Sequence, residues 1–373
     1  MINNLLLKYL IPKLAHSNEN DYHFKIYNFF MSIFKRIFSS YVSNKKLQLR
    51  NSLIASTALF SITTNVAFAE SKNYVAVEPL TCDIVKSIAL PSDEVTCLVD
   101  RKQDVHDLKI TPKQAKLLNL ADKVFTLGTE MTPAMRNWVK KNNTVVLGVS
   151  AIDIDDHSDH DDLGHSAFKH DDHDHHDHGG VDPHVWHDPH NIIKMGEIVS
   201  KSLKNDVSER KLRKAISQRF KTFDKTLEDL DKWIVKQVST IPSSNRVIVS
   251  KHKAMEYYGD AFGFETISLL DVLGHSSSLR PREISKVLEQ LKEEDVKVIF
   301  KEQEPSSKLV NNLSKQSSIP LSSDQIFVDG LMIEGNTITV AVHNTCTIVN
   351  ELGGLCDETT GFDLASKWAS LSK

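Results

Sequence analysis

Residues 206–238 run through 33 positions without a proline or a glycine, and their apolar side chains recur at Leu212, Ile216, Phe220, Phe223, Leu227, Leu230 and Ile234. Steps of three and four on an otherwise charged segment predict one long amphipathic helix that ends before Pro242. A coiled-coil dimer segment would carry the same pattern. The periodic stretch is short for a stable isolated coil, which favours a rod inside one chain.

On either side of this rod, short apolar β-branched runs alternate with helix-period stretches. The runs are residues 74–77, 95–99, 124–127 and 145–149 before it, then 247–249, 266–269, 296–300 and 319–321 after it. The helical stretches include residues 111–120, where Pro112 follows Thr111, and residues 281–293. Strands alternating with helices argue for parallel sheets covered on both faces. The expected fold is therefore α/β: two Rossmann-like lobes, each a mostly parallel four-stranded sheet with flanking helices, joined by one long rigid helix. The expected boundaries are residues 1–69 for an N-terminal extension, 70–204 and 241–373 for the lobes, and 205–240 for the linking helix.

The first 69 residues suit export rather than a globular core. Lys45, Lys46 and Arg50 form a basic region, residues 52–66 are small and apolar, and Ala67-Phe68-Ala69 is an A-x-A cleavage pattern. Cleavage after Ala69 is expected, which leaves Glu70 as the mature start and no stable membrane anchor, since the apolar run is short for a membrane span. No cysteine at the cleavage point offers a lipid attachment. Met31 opens a more ordinary basic leader than Met1. Eight Lys/Arg against two Asp/Glu lie in this leader, so the formal −4 of the 373-residue chain becomes about −10 without it. An acidic, exported protein is a poor nucleic-acid binder. In an oxidising compartment the four cysteines are compatible with disulfides. Proximity pairs Cys82 with Cys97 and Cys346 with Cys356, with buried free thiols as the alternative, evenly so for the second pair.

Residues 155–180 are almost entirely histidine and aspartate, and hold His157, His160, His165, His170, His173, His175, His176 and His178, eight of 17 histidines. Such a run cannot build a core, and imidazoles beside carboxylates suit zinc, nickel or copper. A specific site is expected elsewhere, because ligands in open α/β sheets gather beyond the carboxyl ends of strands. His106, His184, His252 and Asp324 each follow an expected strand, two from each half. Three histidines and a carboxylate from two lobes suit tetrahedral zinc in a cleft. His187 and His190 read as surface residues, and His275, near the cleft mouth, reads equally as a contact for incoming metal or as loop polarity. Glu302 and Glu304 are candidates to orient ligand imidazoles.

Several segments resemble the zinc and manganese solute-binding proteins of bacterial ABC importers, most of all the zinc-uptake branch. They are VHDLKITPKQAKLL around His106, FTLGTEM at residues 125–131, DPHVWHDP around His184, VSKHKAMEYYGDAFGF around His252 and VKVIFKEQEPS at residues 296–306. The resemblance spans roughly residues 74–356. It implies two lobes on a rigid helix, a metal held between them by His106, His184 and His252, and a second-lobe carboxylate. Family members commonly place that carboxylate in LDP; here Leu321-Ser322-Ser323-Asp324 lacks the proline, and Val105 stands where some zinc members have glutamate.

The chain has no HExxH, Cys-x-x-Cys, phosphate loop or G-x-S-x-G elbow, and four protein ligands would close a zinc site. A carrier rather than an enzyme is expected: a monomeric periplasmic protein that captures Zn2+ and delivers it to an inner-membrane ABC permease. The alternatives are a manganese carrier, a periplasmic zinc buffer using the His-rich loop, and a zinc hydrolase.

Overall fold

Four parallel strands organise the first half of the computed structural model, which describes residues 71–152, 182–273, 281–303, 307–332 and 334–372. They are β1 (Asn73–Ala76), β2 (Glu94–Cys97), β3 (Lys123–Thr126) and β4 (Thr144–Val146), in the order β2-β1-β3-β4. Val75 on the inner strand β1 lies opposite Thr96 on one side and Val124 on the other. Tyr74, Val75, Ala76 and Val77 are all buried, as expected of a strand covered on both faces. Parallel pairing requires crossovers, supplied by α1 (Pro79–Ile88) and α2 (Pro112–Leu120). Thr111 and Gln114 start α2 with a reciprocal capping box, and Pro112 occupies its first turn, where no amide donor is needed.

The expected rod forms as one helix that starts four residues later than residue 206. Helix α3 (Pro189–Asp206) ends at Val207, which is extended, and α4 (Arg210–Val238) starts after Glu209, so residues 207–209 turn the chain between two helices that pack along each other. Lys123 pairs with Asp206 at 2.9 Å and fixes the end of α3 to the first sheet. Gly196 lies where α3 crosses α4, and a Cβ there would come within 2.3 Å of the Phe223 ring.

In the second half β5 (Val247–Ser250) pairs with β6 (Glu265–Ser268), and β7 (Ile299–Glu302) pairs with β8 (Leu321–Ile326), all parallel. β5 lies beside β7, so the layout echoes the first sheet. Its helices are α5 (Glu256–Phe262), α6 (Leu269–Val272), α7 (Pro281–Glu293), α8 (Lys308–Ser317), α9 (Thr337–Glu351) and α10 (Glu358–Ala369). The fold class is α/β with parallel sheets, and all eight expected strands form.

A continuous apolar core runs from Tyr74 and Phe125 through Phe223 and Leu227 of α4 to Ile348 of α9 and Trp368 of α10. A smaller one, with Val249, Ile299, Leu291 and Leu313, fills the space between β5–β8 and the helices α7 and α8. The rod is not the sole connection. Buried Asp83 on α1 accepts from Thr337 N (2.8 Å), Thr337 Oγ1 (2.6 Å) and Trp368 Nε1 (2.8 Å), which ties both C-terminal helices to the first half. Cys82–Cys97 joins α1 to β2, and Cys346–Cys356 joins α9 to the segment before α10. No helix among the described residues is long and apolar enough to cross a membrane.

The α3–α4 crossing gives a direct test. Gly196→Ala should lower the free energy of unfolding in urea by about 1–3 kcal/mol, because the Phe223 ring has to move. An unchanged midpoint would mean that the two helices are not in close contact there.

Candidate metal centre

Imidazoles from both halves converge beyond the carboxyl ends of the strands. His106 lies in the loop after β2, and its N–H is fixed by Asp104 Oδ1 at 2.8 Å. His184 precedes a short 3-10 turn, Val185–His187, that leads into α3. His252 comes two residues after β5, and Asp329 three residues after β8. The ring centroids of His106 and His184 are 6.0 Å apart, and those of His184 and His252 are 5.3 Å apart. All three Nε2 atoms face one oxygen, Asp329 Oδ1, at 3.7 Å from His106, 2.9 Å from His184 and 3.2 Å from His252. Ligand-type atoms of His106, His184 and Asp329 lie within 4.8 Å of one another, the spread expected around a single ion.

Two of the rings are held from behind. Asp182 Oδ1 accepts from the His184 backbone at 2.9 Å and faces its Nδ1 at 2.7 Å. Glu302, the buried last residue of β7, accepts from Lys251 N (2.7 Å) and His252 N (3.1 Å), and its other oxygen faces His252 Nδ1 at 2.8 Å. A carboxylate at Nδ1 keeps the proton there and leaves the Nε2 lone pair for a cation.

Electrostatics without an ion follow from this crowding. Burial of the His252 ring opposes its charged form, but the hydrogen bonds to Asp329 and Glu302 outweigh it and push its pKa up to about 10. The same balance raises His184, where burial is outweighed by Asp182 and Asp329. Burial would raise the Asp329 carboxyl, yet bonds from His106, His184 and His252 hold it far below the ordinary carboxylate range.

Asp324, expected as the fourth member, does not join them. It sits in the middle of β8, exposed, with Oδ2 4.0 Å from His343 Nε2. The strand begins at residue 321 and continues to Ile326, because a bulge absorbs the polar Ser322-Ser323-Asp324 segment. Ser322 Oγ accepts from Lys301 N at 3.0 Å and bonds to Asp324 O, replacing part of the ladder. The first carboxylate past the true strand end is Asp329, three residues beyond Ile326. The rule about strand ends therefore points to the right place once the strand is given its true length.

Glu302 is brought to the site and Glu304 lies outside the described residues, as do His275, residues 1–69 and the loop histidines His157, His160, His165, His170, His173, His175, His176 and His178. His190 is exposed beside Asp188. His187 is buried rather than on the surface, with Nε2 3.1 Å from Val328 O, and burial, reinforced by His184, pushes it down to about 4.

Residues 75–351 match the family of zinc-uptake complex component A, periplasmic. The chain belongs to this family. As a member of it, the protein is an exported metal-binding component of an ABC importer and not an enzyme. It is 26% identical over 275 residues to the manganese-binding lipoprotein MntA of Halalkalibacterium halodurans, covering 72% of this chain and 85% of that one. It is 23% identical over 278 residues to the iron ABC transporter substrate-binding lipoprotein MtsA of Streptococcus pyogenes, covering 74% and 86%. Its fold is shared with the periplasmic zinc binding protein TroA of Treponema pallidum, at a TM-score of 0.61 and 21% identity over 76% of this chain and 99% of that one.

The charge pattern of this family member fixes a pH dependence. His252 is raised, so its contribution to stability is complete below the ordinary imidazole value of about 6.5 and is lost as pH rises through about 10. Asp329 is depressed, so its contribution is lost only as pH falls below the ordinary carboxylate range. After chelator treatment, the urea midpoint should fall between pH 6.5 and 10, and His252→Ala should flatten that fall. A midpoint that rises over this window would contradict the assignment.

Proposed function

We propose that this protein captures one zinc ion between its two halves and delivers it to a membrane permease, with His106, His184, His252 and Asp329 as the ligands. The observation that carries this reading is the meeting of three Nε2 atoms at one carboxylate oxygen. Three imidazoles and one carboxylate suit tetrahedral zinc, whereas manganese favours a higher share of oxygen ligands. Two ligands come from each half, so release of the ion is coupled to separation of the halves, which a permease can exploit. Each imidazole must give up its Nε2 proton to bind, so affinity rises with pH over the window in which His252 titrates.

The mature protein is a periplasmic monomer cleaved after Ala69, and the His-rich segment serves as an accessory that collects zinc weakly. Removing residues 156–179 keeps one tight site if the cleft is the carrier, and abolishes tight binding if the protein is a loop-based buffer. Manganese is the second reading. Relatives named for manganese favour it, as does the half-buried Asp329 carboxylate, whose second oxygen would add an oxygen ligand.

Alanine at His106, His184, His252 or Asp329 should each weaken zinc binding by more than the roughly 10–100-fold typical of losing an outer partner of a ligand. Asp324→Ala should leave it unchanged. In competition titrations zinc should displace manganese at equal concentration. Retention of manganese against zinc would favour the second reading, and unchanged zinc affinity in all four ligand variants would overturn the site.

A further inference from the structure

His187 closes the turn that begins one residue after His184, and its buried ring lines a small cavity with Leu80, Pro189, Ile192, Leu230 and Tyr258. An imidazole in apolar surroundings costs free energy unless its polar atoms are bonded, and a leucine would fill such a space without that cost. The partner that His187 finds is the carbonyl oxygen of Val328, 3.1 Å from Nε2 and one residue before Asp329. Because burial keeps the ring neutral at physiological pH, its single proton must lie on Nε2 for this bond to form.

The same segment is clamped a residue earlier from α9. Asn344 Oδ1 accepts from Phe327 N at 2.8 Å, and Asn344 Nδ2 donates to Phe327 O at 2.7 Å. Asn344 thus anchors the Asp329 segment within its own half, while His187 reaches it from the opposite half.

We infer that His187 is a positioning residue for the metal site, donating from Nε2 to Val328 O and so tying the turn that carries His184 to the segment that carries Asp329. It does not ligate the ion; it holds ligands of the two halves at a fixed separation. The inference rests on the reading of Asp329 as a ligand.

A double-mutant cycle tests both and separates them. Zn2+ affinity is measured by competition with a chromogenic chelator for the wild type, His187→Leu, Asp329→Ala and the double variant, with His187→Gln as the conservative replacement that keeps an N–H donor. His187→Leu should weaken zinc by roughly 10–100-fold, and His187→Gln should recover most of the loss. In the Asp329→Ala background, His187→Leu should change affinity by less than about threefold, because its route to the ion is gone. Co2+ absorption should differ between wild type and His187→Leu but coincide for Asp329→Ala and the double variant. Wild-type affinity in His187→Leu, or the same loss with and without Asp329, would overturn the inference alone. Wild-type affinity in Asp329→Ala would overturn the site reading beneath it. If His187→Leu does not fold, His187→Asn, too short to reach Val328, takes its place in the cycle with the same expected losses.

Discussion

One carboxylate oxygen, Asp329 Oδ1, receives imidazole nitrogens from both halves of the molecule. Three rings brought this close would repel one another when protonated, so the cluster persists only where an anion neutralises it or where a cation replaces the protons. Much of the surrounding structure serves that condition. Segments after β2, β5 and β8 deliver three of the residues, and the turn before α3 delivers His184. Asp182 and Glu302 fix two rings from behind, and Asn344 anchors the backbone that leads to Asp329. The half-buried Asp329 carboxylate thus meets rings that no local stretch of sequence brings together.

The halves are bound together more extensively than a single linking helix would require. α9 and α10 pack against α4, and Asp83 binds the start of α9 and the indole of Trp368 from the first half. Such a frame resists wide hinge motion, and small changes at the cleft are then the natural means of gaining and losing an ion. A carrier needs a site that is tight yet separable, and the proposed ligands, divided two and two between the halves, would meet both needs.

Where each element has strong apolar periodicity, the sequence is easily read. The first six strands and the helix at Thr111-Pro112 start within a residue of where the pattern puts them, while β7 and β8 start later than the runs at residues 296–300 and 319–321. Two features escape it. The start of the rod at Arg210 rather than at residue 206 has no proline or glycine to announce it, since Val207 turns the chain through an extended conformation while the charge pattern continues. In β8 the residues Ser322-Ser323-Asp324-Gln325 have no β-strand signature, because side-chain bonds from Ser322 replace part of the ladder. That misplaced strand end made Asp324 the expected ligand, while Asp329, in Phe327-Val328-Asp329-Gly330, stood five residues further on. His187 also escapes, since its burial depends on a carbonyl that is distant in sequence.

The central claim is that one ion sits among His106, His184, His252 and Asp329. An anomalous difference map collected at the zinc absorption edge, from crystals of the zinc-loaded mature protein, tests it most directly. The account predicts a single strong peak within about 2.0–2.2 Å of the three Nε2 atoms and an Asp329 oxygen. A strongest peak at Asp324 and His343, or at residues 155–180 with none among the four residues, would contradict it.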